Sequence, residues 1–135
     1  SISNNATNVT GDATAFTLIY ATENFDVGGD FNAVSTFTAP QTGKYLVIVN
    51  ITIIGHVAGH NRATLRILTT ARNYNLTDTN LNTILGAAYV LSGSAIVDMT
   101  AGDTLTTTLT ISGGALVVDI DTTANASFIT IGLLA

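Results

Sequence analysis

Two histidines, His56 and His60, are the side chains of this sequence best suited to hold a metal ion. They lie four residues apart in the glycine-rich stretch 55–62, and they are the only histidines of the 135-residue chain. Imidazole nitrogen binds zinc, nickel and iron, and copies of one chain around a threefold axis would repeat any ligand. In a loop, a four-residue spacing fixes no coordination geometry. The alternative is therefore a pair of solvated loop histidines, and the sequence leaves both open.

Two pairs of aspartates could contribute to a calcium site, since Ca²⁺ takes six to eight oxygen ligands. Asp26 and Asp30 flank Val27-Gly28-Gly29, and Asp119 and Asp121 share one face of a predicted strand. The first pair also fits an ordinary hairpin turn, in which an aspartate caps backbone N–H groups and glycine adopts a positive φ. The sequence favours the turn, and we expect no obligatory cofactor.

Aromatic side chains near loop tips could stack on sugar rings. The aromatic candidates are Tyr20, Phe25, Phe31, Tyr74 and Tyr89. In a β-sandwich such residues can equally belong to the core. Tyr74, which lies beside Arg72 in Arg72-Asn-Tyr-Asn75, is the one that we expect to be exposed. Tyr74 and Arg72 are therefore the predicted ligand-binding residues.

No pattern of catalytic residues is present. Glu23 is the only glutamate, cysteine is absent, and no serine lies in a Gly-x-Ser-x-Gly turn. No glycine-rich phosphate loop precedes a helix. Without cysteine the chain has neither a disulfide framework nor thiolate chemistry. We expect a protein that is not an enzyme.

The composition excludes two further classes of protein. Charged residues make up 10% of the chain, hydrophobic residues 47%, and the net charge is −5. A disordered chain needs low hydropathy with high net charge, and a nucleic-acid surface needs clustered Lys and Arg, of which this chain has four in all. No uncharged stretch is long and apolar enough to span a bilayer. We therefore expect a folded chain that binds no nucleic acid and inserts into no membrane.

The elements that must position these residues are β-strands. Polarity comes from 24 threonines and 12 asparagines, which suit strand surfaces and turns, and no helical stripe persists for three turns. The sequence therefore predicts an all-β, antiparallel sandwich. Predicted strands are Ala15–Ala21, Ser35–Ala39, Lys44–Ile54, Ala63–Thr70, Ala87–Leu91, Ala95–Met99, Thr104–Ser112, Ala115–Ile120 and Ser127–Leu134. Residues 1–12 are predicted to be an N-terminal arm or tail, and residues 13–135 the sandwich domain.

Two kinds of strand are distinguished by their hydrophobic pattern. Thr104–Ser112 alternates, with Leu105, Leu109 and Ile111 on one face and threonines on the other, as expected for one wet face. In contrast, Lys44–Ile54 is apolar on both faces, with Leu46, Ile48 and Ile54 opposite the main set. Strands apolar on both faces in so small a chain imply a second buried surface. An oligomer interface would supply it; the alternative is a central strand covered by loops.

The most specific motif lies between two predicted strands, in Phe37-Thr-Ala-Pro40-Gln-Thr-Gly43-Lys-Tyr45. Pro40 presets a turn, Gly43 can adopt a positive φ, and Tyr45 begins a buried strand. The further landmarks are Ala15-Phe16, Asn24-Phe25 and Phe31-Asn32 upstream, and the Gly-Asp turn in Ala101–Leu105 and Phe128–Leu134 with Gly132 downstream. In this order they resemble the C1q/TNF-like family of trimeric jelly-roll domains, and more closely the C1q-like heads of phage and bacterial structural proteins.

The resemblance implies a jelly roll of about ten strands that assembles as a homotrimer. It places the central and closing strands at the axis. The trimer-interface residues expected on this basis are Tyr45, Val47, Val49, Ile51, Ile129, Ile131 and Leu133. It also allows a calcium ion or an axial metal, with His56, His60, Asp26 and Asp30 as the candidate ligands.

The function expected from these observations is that of a non-enzymatic structural and binding module at a virion surface or another extracellular location. It would be a phage fibre head or a capsid-surface decoration protein involved in attachment. The expected partners are neighbouring virion or surface proteins and a host-surface glycan or protein. Two alternatives stay open: the C-terminal trimerisation head of a bacterial collagen-like surface protein, and a carbohydrate-binding, lectin-like domain.

Overall fold

The computed structural model describes residues 1–3, 6–83 and 86–135, which form nine β-strands and one short 3₁₀ helix, Leu81–Thr83. The strands are β1 (Ala15–Thr17), β2 (Phe37–Thr38), β3 (Gly43–Ile54), β4 (Arg62–Thr69), β5 (Asn73–Thr79), β6 (Ala88–Met99), β7 (Thr104–Ser112), β8 (Asp119–Ile120) and β9 (Phe128–Leu133). The all-β prediction is confirmed. Among the described residues, no helix has the length and apolar character needed to cross a membrane.

The strands form two antiparallel sheets. The first sheet has the order β1, β7, β4, β5, with β2 also paired to β7. In the second sheet β3 lies between β6 on one side and β8 and β9 on the other. β8 pairs with the end of β3 at Ile53 and Ile54, and β9 pairs with Tyr45 to Asn50. Thus the long strand β3 organises the second sheet.

The core lies between the inner faces of the two sheets. On β7, Leu105, Leu109 and Ile111 are at most 1% exposed, which confirms the alternation predicted for this strand. On β3 the inner face is formed by Tyr45, Val47, Val49, Ile51 and Ile53, each likewise at most 1% exposed. The first four of these were expected to face a partner subunit. That expectation needs correction, because their side chains are buried against the first sheet of the same chain and have no surface left for a partner.

Two strands differ from the prediction because pairing outweighs local composition. β5 was not predicted, since Asn73–Thr79 is rich in Asn, Thr and Asp, yet it pairs with β4 across a bulge at Leu65/Arg66. β6 is one strand of 12 residues where two were predicted. Its small central residue Gly93 pairs with Val49, and a Cβ at Gly93 would lie 2.7 Å from the Cβ of Leu76 on β5. A glycine is needed here because the two sheets approach closely.

The turn motifs are found where the sequence placed them, with one change of role. Gly102 has φ +90° in a turn in which the Asp103 N–H donates to the Thr100 carbonyl at 2.9 Å. Gly43, however, is the first residue of β3 and is not among the glycines with positive φ. A Cβ there would lie 2.6 Å from the carbonyl oxygen of Ala135. Gly43 therefore makes room for the C-terminal strand.

The N-terminal segment packs on the body of the domain. Ile2 is 2% exposed and Val9 is 9% exposed, and both belong to the core. The Ile2 N–H donates to the Ser127 carbonyl, and the Val9 N–H to the Val118 carbonyl, each at 2.9 Å. The described parts of the predicted arm, residues 1–3 and 6–12, therefore lie against the sandwich and continue the line of the second sheet.

Candidate assembly surface

The outer face of the second sheet carries an unusual concentration of exposed aliphatic side chains. We call it the aliphatic face, and it consists of Leu46 and Ile48 on β3, Val90 and Ile96 on β6, and Phe128 on β9. Strand register places Leu46 opposite Ile96, while Asn50 lies between Phe128 and Ser92, and Val90 lies opposite Thr52. Ile96 is 59% exposed, Val90 49% and Ile48 38%, although all three belong to regular strands.

Charge lies toward the two ends of the outer face. At one end the Lys44 Nζ lies 2.6 Å from the Asp98 Oδ1, and both side chains are largely exposed; at the other end Asp119 on β8 lies opposite Ile54. The hydrogen bond from Lys44 is the main cause that holds the pKa of Asp98 below its ordinary value. Between the aliphatic side chains the face carries only neutral polar groups, such as Ser92 and Ser94 opposite Asn50 and Ile48.

The opposite margin of the face is closed by a loop. Asn50 Nδ2 and Thr52 Oγ1 both donate to the Ala126 carbonyl, at 3.1 and 2.8 Å. The Ser127 hydroxyl accepts from the Thr52 N–H at 3.0 Å and donates to the Asp121 carbonyl at 3.1 Å. These bonds fix the polar end of the face within the chain. The aliphatic part beyond them is left without a cover.

Such a face can do one thing chemically, which is to exclude water against another apolar surface. Contiguous exposed apolar side chains on a regular sheet are typical of interaction surfaces, and charge depletion is typical of interface centres. The sequence signal for it was the second apolar parity of β3, which includes Leu46 and Ile48. Val90 and Ile96 were missed because β6 was predicted as two separate strands.

The remaining predicted interface residues lie at the edge of the second sheet. Register places Ile129, Ile131 and Leu133 opposite Val49, Val47 and Tyr45, so their side chains point toward the inner face. Ile129 and Ile131 are half-buried against the core, and Leu133 is 43% exposed. They line one wall of a groove of about 530 Å³, whose other wall is the loop 22–30.

The two histidines have separate environments. His60 is fully buried: its Nδ1 accepts from the Val57 N–H at 2.9 Å, and its Nε2 lies 3.0 Å from the Ala115 carbonyl oxygen. Both ring nitrogens are therefore used within the chain, and none remains for a metal. A Cβ at Gly114 would lie 2.7 Å from the imidazole ring. His60 thus ties its own loop to the loop 113–115. Both ring nitrogens of His56 are buried without a partner among the described residues.

Asp26 has the turn role that the sequence favoured. Its Oδ1 accepts from the N–H groups of Gly29 and Asp30 at 2.9 and 3.2 Å, and its Oδ2 from that of Phe31 at 3.0 Å. The bond from Phe31 is the largest cause that lowers the pKa of Asp26. Gly29 adopts φ +68°, as expected for such a turn. Asp30 lies over Gly28, where an added Cβ would overlap its carboxylate.

The second aspartate pair is also engaged with backbone. Asp119 Oδ1 accepts from the Asn8 N–H at 2.6 Å, and Asp121 Oδ1 from the Thr123 N–H at 2.8 Å. The Thr123 contact lowers the pKa of Asp121. Within residues 1–3, 6–83 and 86–135, no three side chains of the His, Cys, Asp or Glu type are grouped so that they could hold a metal ion.

Of the two predicted ligand-binding residues, Tyr74 lies in a strand and Arg72 in a turn. Tyr74 lies in β5 opposite Ile67 and is half-buried against the core. Arg72 is exposed, and its backbone closes a turn with Thr69 through bonds of 2.8 to 3.0 Å. Tyr74 is thus not the exposed platform that we expected. The exposed aromatic residue is Phe25, at 73%.

The other aromatic candidates belong to the interior. Tyr20 is 1% exposed, and its hydroxyl lies 2.6 Å from the Thr107 hydroxyl. Burial raises the pKa of Tyr20 far above its ordinary value. Phe31 packs edge-on against Tyr20 with ring centroids 6.3 Å apart, and Tyr89 is half-buried. Tyr20 thus supports the fold, while Phe31 and Tyr89 are only partly covered, and Phe31 lines the groove.

Comparison with solved structures identifies the architecture. The crystal structure of murine APRIL at pH 8.5 aligns with a TM-score of 0.65 at 13% identity, over 98% of this chain and 94% of that one. The globular domain of zebrafish complement 1qA protein aligns with a TM-score of 0.57 at 16% identity, over 87% and 84% of the two chains. No family model and no curated protein matches the sequence. The fold is therefore a C1q/TNF-like jelly roll, as the landmarks predicted.

Proposed function

We propose that this chain is a homotrimeric, non-enzymatic structural and binding module of a virion or another extracellular assembly. In this role it serves as a fibre head or as a capsid-surface decoration protein engaged in attachment. The observation that carries the proposal is the aliphatic face, where Ile48, Val90 and Ile96 are exposed on a rigid sheet. The number three comes from the resemblance to trimeric C1q/TNF-like domains, and the fold supports it.

The energetics favour stable association through this face. Fully burying an aliphatic side chain contributes about 1.5 to 3 kcal/mol, so side chains that are already half-buried contribute roughly 1 kcal/mol each. Each subunit offers four aliphatic side chains and Phe128, and a closed ring uses every copy. The charged margin at Lys44 and Asp98 then lies at the rim, where it affects register and salt dependence more than affinity.

The role in attachment is supported by what remains outside that face. The first sheet presents threonines and both partners of the Arg62–Asp78 ion pair to solvent, and the chain as a whole is poor in charge. A neutral, hydroxyl-rich exterior suits a particle that must avoid nonspecific adhesion. The virion role draws on the resemblance to the C1q-like heads of phage and bacterial structural proteins, a resemblance that the collagen-like alternative shares. With Tyr74 half-buried, a glycan site would have to use Phe25.

Light scattering across a dilution series tests the assembly. We expect a constant mass of three times the 13.9 kDa subunit. The double variant Ile48→Lys/Ile96→Lys should be a folded monomer, because two lysines per subunit cannot be desolvated at the interface. The matched control Thr106→Lys/Thr110→Lys places the same charges on the first sheet and should stay trimeric. A monomeric wild-type chain, or a trimeric Ile48→Lys/Ile96→Lys variant, contradicts the proposal.

Binding at a host surface is tested with the same proteins. The trimer and the Ile48→Lys/Ile96→Lys monomer are compared on an array of immobilised glycans and on whole cells. A trimer should bind much more tightly than a monomer, because linked sites gain about 10² to 10⁴ in avidity. Equal binding by the trimer and the monomer argues against an attachment role. So does the absence of binding by the trimer to both the glycan array and the cells.

A further inference from the structure

The edge of the second sheet is left open at β9. On one side β9 pairs with β3, and the Leu134 N–H donates to the Lys44 carbonyl at 2.7 Å. Because pairing alternates along an antiparallel strand, the N–H and C=O groups of Ile129, Ile131 and Leu133 point the other way. Among the described residues they have no hydrogen-bond partner. Three donors and three acceptors are therefore presented in a row.

This open edge is one wall of the groove of about 530 Å³. The floor is aromatic, and Phe37 and Tyr45 pack edge to face there with ring centroids 5.5 Å apart. The opposite wall is the loop 22–30, which the Asp26 carboxylate holds in shape. The groove is thus a slot with hydrogen-bonding groups on one side and apolar side chains below.

The rim of the groove is acidic. Glu23, Asp26 and Asp30 line it, and no lysine or arginine does. Of the three carboxylates, Asp26 is occupied by backbone N–H groups, which leaves Glu23 and Asp30 to face a ligand. The Ser1 backbone nitrogen, at one end of the groove, donates to the Thr22 carbonyl. A ligand with a basic residue near the loop 22–30 is therefore favoured over an acidic one.

One end of the groove shows how a strand would enter. Ser1 lies at that end, and the Ile2 N–H already pairs with the Ser127 carbonyl just before β9. Further along, the Val9 N–H and the Thr10 carbonyl pair with Val118. The N-terminal segment thus runs antiparallel to the stretch 118–127. A strand in the groove would continue this line along β9.

We propose that the groove binds an extended peptide segment of a partner protein by addition of an antiparallel strand to β9. The backbone of the segment pairs with Ile129, Ile131 and Leu133. Its alternate side chains are apolar and contact the aromatic floor, and a basic residue meets Glu23 and Asp30. Strand addition of this kind takes affinity from main-chain bonds and specificity from the pockets for alternate side chains.

The probe is the heptapeptide Lys-Val-Thr-Val-Thr-Val-Lys, acetylated and amidated at its ends and labelled for fluorescence anisotropy. Two control peptides keep its length: one has the same sequence N-methylated at alternate amides, and one has glutamate in place of both lysines. N-methylation removes the donors needed for pairing and should weaken binding at least about tenfold. The glutamate peptide should bind about threefold or more weakly at low salt, and the difference should shrink as salt is added.

Variants of the chain locate the site. Ile131→Pro removes an outward N–H and obstructs the edge while leaving the bonds of β9 to β3 in place, so it should weaken binding at least about tenfold. Leu133→Pro repeats the test at a more exposed position if Ile131→Pro folds poorly. Gly132→Ala is the matched control, because its N–H points toward β3 and its added Cβ meets nothing within 4 Å. Glu23→Gln/Asp30→Asn should abolish the preference for the lysine peptide.

Amide hydrogen exchange provides the direct readout. Bound probe should slow exchange at Ile129, Ile131 and Leu133, and a copy of the probe fused ahead of Ser1 should compete with the free peptide. Equal affinity for the N-methylated peptide, or unchanged exchange at these amides, overturns the proposal. So does an edge-to-edge dimer of the chain itself that Ile131→Pro disrupts. The inference is independent of the trimer, because Ile48→Lys/Ile96→Lys should change the mass and leave peptide affinity unaltered.

Discussion

The two sheets share one core, but their outer faces differ in chemical character. The outer face of the first sheet carries a row of threonines flanked by arginine and aspartate, and we call it the threonine face. It consists of Thr104, Thr106, Thr108 and Thr110 on β7, Arg62 and Arg66 on β4, and Asp78 on β5. The second sheet turns outward the aliphatic face, with charge toward its ends at Lys44 and Asp98 and at Asp119. Each sheet buries one face against the other, and the aliphatic face is the apolar surface that this packing leaves exposed.

Lysine substitutions on the two faces of β3 should differ in their effect on stability, because one face is buried and the other is exposed. Val49→Lys should unfold the chain, because an unpaired charge between the sheets costs about 4 kcal/mol or more. The neighbouring variant Ile48→Lys should fold normally. Urea unfolding followed by far-UV circular dichroism measures both. Similar losses of stability in the two variants would mean that the outward side of β3 is as necessary to the fold as the inward side.

Glycine positions test how closely the two sheets approach. Gly93→Ala should cost about 2 kcal/mol of unfolding free energy, because its Cβ would lie 2.7 Å from the Cβ of Leu76 and overpacking is destabilising. Gly132→Ala lies on the outer face of β9 in open space and should change stability by no more than about 0.5 kcal/mol. The two are compared by chemical denaturation. A neutral Gly93→Ala would argue against the close contact between β5 and β6.

Apolar substitutions on the threonine face test whether exposed hydrophobic side chains are sufficient to cause self-association. Thr106→Val/Thr110→Val removes two hydroxyl groups from a flat sheet and should produce weak self-association, with a dissociation constant in about the millimolar range. Sedimentation equilibrium at increasing concentration measures it. If the variant has the same mass as the wild type at every concentration, then hydrophobicity alone does not cause association, and the strand geometry of the aliphatic face is also needed.

Acid titration gives the smallest expected effect, and it compares the ion pair of each sheet. Arg62 binds Asp78 at 2.8 and 2.5 Å and Lys44 binds Asp98 at 2.6 Å; each hydrogen bond lowers the pKa of its aspartate. Stability from a lowered pKa is present at neutral pH and lost as the pH falls through the folded-state value, here below about pH 4. Thermal melts between about pH 2 and 6 should show a shallower acid decline in Asp78→Asn than in the wild type.

Asp98→Asn is the companion variant and should flatten the acid decline less, because the Lys44 contact is single where the Arg62 contact is double. Both effects should diminish in high salt, since these side chains are exposed. If the wild type and both variants decline alike in acid, neither ion pair contributes to folding.

Local chemistry made much of the fold predictable. Gly102 marks a real turn, Pro40 lies in the bend between β2 and β3, and the alternation of Leu105, Leu109 and Ile111 gives the inner face of β7 directly. β5 escaped prediction because its Asn, Thr and Asp residues resemble a loop, and only pairing with β4 makes it a strand. Gly93 likewise divides β6 in sequence, while 12 paired residues on β3 keep it continuous.

The surfaces were harder to predict than the strands. A period of two separates Val49 from Ile48 but does not tell which side meets the other sheet, so interface residues were predicted on the side of β3 that is buried within the chain. The role of His60 depends on Ala115, which is 55 residues away. The groove combines residues near both ends of the chain, Glu23 and Ile131 among them. Such relations exist only after folding, and no local pattern encodes them.

The position of β9 also bears on how the chain folds during synthesis. β9 is formed by nearly the last residues, yet it pairs with the first half of β3, and Ile2 bonds to Ser127 from the opposite end. The first sheet likewise joins β1 to β7. The second sheet is incomplete until β9 has been synthesised, whereas the first sheet needs no strand after β7. Long-range pairing of this kind makes folding slow, and the edge of β3 from Tyr45 to Asn50 stays unpaired until β9 is available.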